Sequence, residues 1–390
     1  MINIGILEIH FHLKYLHTLI KICKTDETNV IVFTTKELFS RIETYIGDKS
    51  KYEFVLKDKN QSNSSYIKEV EEICNEKIDL LFVNTIQFSS IRSPLFFNFN
   101  PKSKMILTVH MTNHWLKQRF ALPTKNIFRS IDANLSILLI RRLILPKYNA
   151  ISVIYPPIKD FVLEKTNYKK PVLTLPFNFY DKKRKISKKR KDEKIVFVLP
   201  GLIEIYRRDY DLAIDVFEKL FKKYNKKITL WLLGKPVGSG GNRIISICEE
   251  LKGKGYDIHY SNTFIPEEKY DEIISNCDII FSPLNVIAKR DTGISEIYGK
   301  TEGSALPFEA IQYCKPLIVP EKFKVINEMK SSVLRYKSSE DLENTLIDII
   351  EDKNKLAELK KKAVENSEKF SLENLQKYFK KEILDKIDDL

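Results

Sequence analysis

Along the first 180 positions, short apolar runs alternate with longer stretches whose apolar residues recur every third or fourth position. The runs at 2–7, 29–34, 53–56, 78–83, 105–109 and 150–154 read as strands, and Leu13–Cys23, 37–46 and 66–74 read as helices. Several strand runs are apolar throughout, the pattern of strands covered on both faces. Strands alternating with helices in this way predict a parallel sheet with helices on both sides.

Residues 171–179 lead into 182–194, a segment almost without apolar positions, and then the alternation restarts. Strands are expected at 195–199, Ile228–Leu233, Ile258–Tyr260, 278–282 and 317–319. Helices are expected at 209–224, 242–252, 267–275, 305–314, 340–350 and 356–370. A last helix at 372–387 has the 3.6-residue period of an amphipathic face. The fold class this implies is α/β, with two doubly wound, Rossmann-like domains facing a cleft. The domains run over 1–180 and 195–370, joined by a basic linker at 181–194, and a terminal helix at 371–390 crosses back to the first domain. In doubly wound sheets ligands bind at the carboxyl ends of the strands.

Composition changes this picture little. The chain has 390 residues, 43% of them hydrophobic, enough for two ordinary cores. Its formal net charge is +13, but nine Lys or Arg residues against Asp192 and Glu193 put seven of those charges in 182–194. A nucleic-acid-binding domain spreads its basic residues over a folded face, so no nucleic-acid partner is expected. The segment reads as a solvated hinge and at most an auxiliary contact with anionic lipid. The apolar stretch 135–145, interrupted by Arg141 and Arg142, is too short to span a bilayer. Residues 130–145 read as a buried helix of the first domain, with a helix lying on a membrane surface as the alternative. The five cysteines show no zinc-like spacing and read as reduced core residues. The N-terminus runs straight into a strand without the features of a signal peptide. A cytoplasmic protein is expected, at most peripheral at the inner face of the membrane.

Two stretches carry candidate chemistry. In the first, Thr301-Glu-Gly-Ser-Ala-Leu-Pro-Phe-Glu-Ala310, the small residues Gly303 and Ser304 open a helix with Pro307 in its first turn. Free amides at such a start suit a diphosphate. The Glu309 carboxylate, one turn in, suits two neighbouring ribose hydroxyls. A plain helix cap explains the same residues equally well. In the second stretch a strand ends at Gly201, and Arg207 and Arg208 follow ahead of a helix opened by Asp209. Arginine forks match phosphate oxygens. Asp209-Tyr-Asp211 has the form of a metal-binding pair, but capping and the helix dipole explain it, and no metal is expected. His110 ends the strand at 105–109 and is placed to donate a hydrogen bond or shuttle a proton. His10 and His12 would share one strand face; two ligands without a third do not make a metal site, and a cleft-lining role is expected for one of them.

Residues 194–336 resemble the second domain of GT-B glycosyltransferases, the large, mostly retaining family that includes bacterial mannosyl- and galactosyltransferases. The landmarks are the strand–glycine–loop–basic pattern from Gly201 to Arg207, the strand end Leu232-Leu-Gly234-Lys235, and the Glu302–Ala310 loop and helix followed by Lys315-Pro316 and an apolar strand. The resemblance implies transfer of a sugar from a nucleotide diphosphate donor to a glycan or lipid-linked acceptor, with retention and without cofactor. It implies donor binding by Gly201, Arg207, Arg208, Gly234, Thr301, Gly303, Ser304 and Glu309, and catalytic roles for His110, Arg207 and Glu302. The family's paired glutamates have seven residues between them, whereas Glu302 and Glu309 have six. Anchored on Glu309, the first position falls on Thr301; anchored on Glu302, the loop is one residue shorter. A nucleotide-sugar epimerase of the same fold and a catalytically silent glycan- or nucleic-acid-binding protein are the rival readings.

Overall fold

The structure, a computed structural model, describes residues 1–86, 95–116, 127–182, 194–289 and 294–390. Nearly all of the basic linker lies outside the described residues. The chain forms two compact units. Unit 1 holds Met1–Asn178, Lys289–Gly303 and Leu372–Leu390; unit 2 holds Phe179–Ala288 and Ser304–Ser371. Residues 289–303, read from sequence as part of the second domain, thus belong with unit 1.

Unit 1 is built on β1 (Ile2–Glu8), β2 (Thr28–Thr35), β3 (Glu53–Lys57), β4 (Leu80–Val83), β5 (Lys104–Thr108), β6 (Ala150–Val153) and β7 (Val172–Thr174). All pair in parallel, in the order β3-β2-β1-β4-β5-β6-β7. The order reverses between β1 and β4, which makes the carboxyl ends of these two strands the switch point. Strand β7 falls where sequence reading saw only a break. It is three residues long, between Pro171 and Pro176, too short to show a period. The helices are α1 (Leu13–Cys23), α2 (Lys36–Ile46), α3 (Asn63–Lys77), α4 (Thr112–Leu116), α5 (Ile127–Leu139) and α6 (Pro156–Lys165). Ser62 caps α3 by accepting from Ser65 N, satisfying one of the amides a helix start leaves open.

Helix α5 and the turn after it meet the expectation of a buried helix at 130–145 only in part, since Ile137, Ile140 and Ile144 are buried but other apolar side chains are not. Phe128, Ile131 and Leu135 are 85%, 58% and 42% exposed, and their spacing of three and four puts them on one face. Arg141, just beyond, is half-buried because its guanidinium donates to the Trp115 carbonyl at 3.0 Å and closes the end of α4.

Unit 2 repeats the plan with β8 (Ile195–Pro200), β9 (Ile228–Leu233), β10 (Ile258–Tyr260) and β11 (Ile279–Phe281). Two three-residue strands follow in sequence, β12 (Ile287–Lys289) and β13 (Ser295–Ile297, in unit 1). Then come β14 (Leu317–Pro320) and β15 (Val333–Tyr336). The six-stranded sheet is parallel, in the order β10-β9-β8-β11-β14-β15, with its switch point between β8 and β11. Its helices are α7 (Tyr210–Tyr224), α8 (Gly238–Gly253), α9 (Glu267–Asn276), α10 (Leu306–Gln312), α11 (Ser339–Glu351) and α12 (Lys353–Glu368). Phe217 of α7 packs on Phe197 and Phe281 at 5.3 and 6.0 Å between ring centres. Burying each such ring contributes about 1.5–3 kcal/mol. Helix α8 starts four residues before the sequence reading placed it, because its early glycines lie against Ile203 and Ile205 rather than breaking the turn.

Helix α13 (Leu372–Glu382) belongs to unit 1. Gln376 donates to the carbonyls of Lys21 and Lys24 at the end of α1, at 3.0 and 2.6 Å, and Phe379 is fully buried near Phe82. A short 3-10 turn at Leu384–Asp389 replaces the last turn expected of that helix. Among the described residues no helix is long and apolar enough to cross a membrane, and no three metal-type ligands cluster. All five cysteines are buried and outside disulfides.

Candidate functional site

In unit 2 the strand exits at β8 and β9 meet without room for side chains. Gly201 has φ +98°, open to glycine at little cost. A Cβ on Gly234 would stand 2.1 Å from the Gly201 carbonyl oxygen. The loop that follows is fixed by Arg208, whose guanidinium donates to the Pro200 and Leu202 carbonyls at 2.7 and 3.0 Å. Arg208 therefore braces its own loop. Arg207 is exposed and pairs only loosely, its Nε 3.2 Å from Glu204. Asp209 caps α7 by accepting from Leu212 N at 3.0 Å, and Asp211 pairs with Arg243 at 2.7 Å. Both carboxylates of the Asp-x-Asp are thus engaged by the protein.

The second edge of this site is α10, which begins at the strand-exit side of the sheet. Glu309, in its first turn, accepts a hydrogen bond at 2.8 Å from Tyr270 of α9. Burial and the neighbouring carboxylate push the Tyr270 phenol well above its ordinary range, so it stays a donor. Ser304 accepts from Leu306 N at 3.3 Å, a helix-start contact. Lys315 is buried and donates to the Ser275 and Cys277 carbonyls at 2.7 and 2.8 Å, closing the end of α9. The Lys-Pro pair after α10 is explained by that contact.

Thr301, Glu302 and Gly303 lie in unit 1, so the stretch expected to bind the donor is divided between the units after Gly303. The Thr301 hydroxyl accepts from Ile297 N at 2.7 Å, and its carbonyl accepts from Thr112 N at 2.8 Å. Glu302 bridges to Met111, and a Cβ on Gly303 would stand 2.1 Å from Ile154 Cδ1. These contacts seat the loop on α4. Fully buried Glu296 completes the seat, accepting from the amides of His114 and Asn113 at 2.9 and 3.3 Å. Burial pushes its carboxyl up to about 7, with Glu302 adding to the rise against the hydrogen bonds.

A cluster of hydrogen-bonded polar residues sits at the switch point of unit 1. Strand β1 ends at Glu8, so His10 and His12 occupy the following turn and the strand-face expectation for them does not apply. Glu8 is fully buried. One carboxylate oxygen accepts from His10 N at 2.7 Å; the other accepts from Asn84 Nδ2 at 2.6 Å and the Thr85 hydroxyl at 2.5 Å. Burial raises the Glu8 carboxyl, opposed by those donors. His12 Nδ1 lies 2.7 Å from Thr85 Oγ1. The ring stacks on His110 with centroids 4.0 Å apart. His110 Nε2 donates to the Asn84 carbonyl at 3.1 Å, which fixes its tautomer. Burial takes His110 down to about 4; burial, with the neighbouring His110 and His10, takes His12 to about 2. Both rings are therefore neutral near pH 7. His110 was singled out from sequence; Glu8, Asn84 and Thr85 were not.

No sequence-family model and no curated protein sequence matches the chain. Solved structures do match. Anabaena Alr3699/HepE, in complex with UDP and glucose, superposes with a TM-score of 0.62 at 13% identity, over 98% of this chain and 99% of that one. The Candida albicans trehalose-6-phosphate phosphatase N-terminal domain gives 0.60 at 13% identity, over 98% and 96%. The Neisseria meningitidis UDP-GlcNAc 2-epimerase bound to UDP-GlcNAc gives 0.56 at 13% identity, over 99% and 100%. The chain has a GT-B fold. At such identities the likeness is one of backbone, and the side chains of this GT-B protein must be argued individually. In unit 2 the GT-B reading singles out Glu309 and Arg207. The signal for the unit 1 cluster was present in sequence as a carboxylate closing an apolar strand run, followed by His10 and His12, but nothing local pairs it with Asn84 and Thr85, 76 and 77 positions away.

Proposed function

We propose that the protein is a glycosyltransferase that moves a sugar from a nucleoside diphosphate donor to a hydroxyl of a glycan or lipid-linked acceptor, without a divalent metal. The observation that carries this reading is Glu309, held by Tyr270 at the strand-exit edge of unit 2. A carboxylate so fixed suits the paired hydroxyls of a ribose. Exposed Arg207 follows the first strand of the same sheet and suits the diphosphate, whose charge grows as the bond to the sugar breaks. The UDP and UDP-GlcNAc carried by structures of the same fold support this assignment. Arg208, spent on loop carbonyls, is given a supporting role instead. His110 is proposed to face the transferred sugar.

A lipid-linked acceptor would be met at a membrane surface. The exposed stripe of Phe128, Ile131 and Leu135, with exposed Arg142 beyond it, supports peripheral contact with a membrane surface. The test of the function is incubation with a panel of UDP-, GDP- and ADP-sugars with and without excess EDTA. Release of nucleoside diphosphate that survives the chelator is expected. Activity restored only by added magnesium or manganese overturns the metal-free mechanism, and recovery of an epimerised donor in place of transfer overturns the transferase.

A further inference from the structure

We propose that Tyr270 is a positioning residue that makes the nucleotide site of unit 2 selective for ribose: its hydroxyl fixes the plane of the Glu309 carboxylate, so that both oxygens meet the two vicinal hydroxyls of a ribonucleotide. The inference rests on the reading of Glu309 as the ribose carboxylate and adds what holds it to that task. Both residues belong to unit 2.

The pattern of α9 explains how the phenol arrives there. Tyr270 shares a helix face with Ile273 and Ile274, three and four positions on, and both isoleucines are buried. That face turns toward the sheet, where α9 meets β8. Helix α9 follows β10, so its first turn stands at the carboxyl edge of the sheet. A tyrosine in that turn packs its ring inward and carries its hydroxyl to the edge. The hydroxyl donates to Glu309 Oε1 at 2.8 Å. Because burial and the neighbouring carboxylate hold the phenol well above its ordinary range, the proton stays on the tyrosine and the bond has one sense.

The last torsion of a glutamate side chain is broad, so an unheld carboxylate turns its plane freely. A rigid pair of neighbouring hydroxyls demands one plane. Each carboxylate oxygen has two lone pairs, so the bond from Tyr270 does not use Oε1 up. Glu309 is half-buried, and a ligand can reach it. Setting the plane in advance removes part of the ordering cost of binding, and it does so only for a ligand that uses both oxygens.

A bracing role for the same bond is redundant. One residue further along α9, Asp271 accepts from the Tyr313 hydroxyl of the α10 end. Lys315 Nζ donates to the Ser275 and Cys277 carbonyls at 2.7 and 2.8 Å. The Glu309 backbone is fixed separately, its amide donating to the Ala305 carbonyl and its carbonyl accepting from Tyr313 N, both at 3.0 Å. These contacts set the spacing of α9 and α10 without the Tyr270 hydroxyl.

The test is a selectivity ratio. Calorimetry on the full chain compares the Kd of 2′-deoxy- and 3′-deoxynucleoside diphosphates with that of the ribonucleotide, in the uridine, guanosine and adenosine series. For the parent the larger ratio is expected to be roughly ten- to a hundredfold, one hydrogen bond to a charged group. Tyr270→Phe should weaken the ribonucleotide more than the deoxynucleotides. The ratio should shrink at least about threefold, a coupling of the size found inside one hydrogen-bond network. A purely structural defect would weaken all three ligands alike and leave the ratio where it was. Tyr270→Met, flexible enough to fill the place of the ring, is the second variant should Tyr270→Phe not fold. A folded variant with the parent's ratio overturns the proposal and leaves Glu309 as the ribose ligand. Failure of both variants to fold makes Tyr270 a brace of α9 on α10 and overturns it as well. A parent that binds no nucleotide, or binds ribo- and deoxynucleotides alike, overturns the reading of Glu309 and this proposal with it.

Discussion

The Thr85 hydroxyl stands 2.5 Å from a carboxylate oxygen of fully buried Glu8; Glu8 ends β1, and Thr85 lies two residues past β4, the strand beside it. A sealed carboxylate is expensive unless its oxygens are satisfied. Here Thr85, Asn84 and the His10 amide satisfy them.

Removing the acceptor should therefore cost more than the lost side chain. Glu8→Ala leaves the His10 amide and the Asn84 side-chain amide without this acceptor, and each buried unpaired group costs about 1–3 kcal/mol. We expect unit 1 to lose ~2–5 kcal/mol of unfolding free energy, and Glu8→Gln, which keeps one acceptor oxygen, to lose less. Urea unfolding followed by Trp115 fluorescence in a Trp231→Phe background reads unit 1 separately. A loss of Glu8→Ala stability below about 0.5 kcal/mol, the size of an ordinary surface substitution, contradicts this account.

Glu296 makes unit 1 sensitive to pH in the opposite sense from a salt-bridged acid. Its folded value of about 7 stands above the ordinary 4.5. The protonated form is the one the fold prefers, so its contribution is complete below pH 4.5 and is lost as pH rises towards 7. The loss is of the order of 3 kcal/mol across that window. Comparing the same urea transition at several pH values, Glu296→Gln should flatten this fall. An equal slope in parent and variant would show that Glu296 is not the group responsible.

Gly234 admits no side chain, because a Cβ would stand 2.1 Å from the Gly201 carbonyl oxygen, which is backbone and cannot swing aside. Gly234→Ala should destabilise unit 2 by ~1–3 kcal/mol or more, the cost of overpacking, and displace the loop that carries Arg207. Thermal unfolding and donor binding are expected to suffer together. Unchanged behaviour in both measurements contradicts the close approach of the two strand exits.

The neighbouring arginines should separate cleanly. Arg208→Ala removes both donors to the Pro200 and Leu202 carbonyls and should lower stability. Arg207→Ala removes an exposed group in a loose ion pair and should leave stability within about 0.5 kcal/mol. It should weaken nucleoside diphosphate roughly ten- to a hundredfold while sparing the nucleoside. Calorimetry and thermal unfolding on both variants test the division. The reverse pattern would give Arg208 the ligand and Arg207 the loop.

What could be read from sequence follows from how local each signal is. Helix α1 and strands β9 and β10 fall where periodicity puts them, because burial of one stripe or of both sheet faces leaves a continuous mark. Strand β7 was missed because it lies between Pro171 and Pro176 in a stretch read as a break, and β15 was missed as well. The 130–145 segment, apolar around most of its helix, was read as buried throughout; Ile137, Ile140 and Ile144 are, but Ile131 and Leu135 are not, since an apolar surface does not say what covers each side. Glu309 was legible because a helix start is a local motif. Its partner Tyr270 was not, 39 positions away on another helix. Thr301 and Glu302 stood inside the same motif, yet their bonds go to α4 and the turn before it. No short-range pattern reports which unit a loop will join.

Everything proposed for the chemistry depends on a nucleotide sugar binding through Glu309. Titration calorimetry of the parent and Glu309→Gln against UDP, GDP and the donor that responds in the panel addresses that dependence. The account predicts binding by the parent, with affinity falling roughly ten- to a hundredfold in Glu309→Gln for nucleoside diphosphate and nucleotide sugar alike, in a variant that unfolds at the parent's temperature. A parent that binds none of these ligands, or a folded Glu309→Gln that binds them as tightly as the parent, contradicts it.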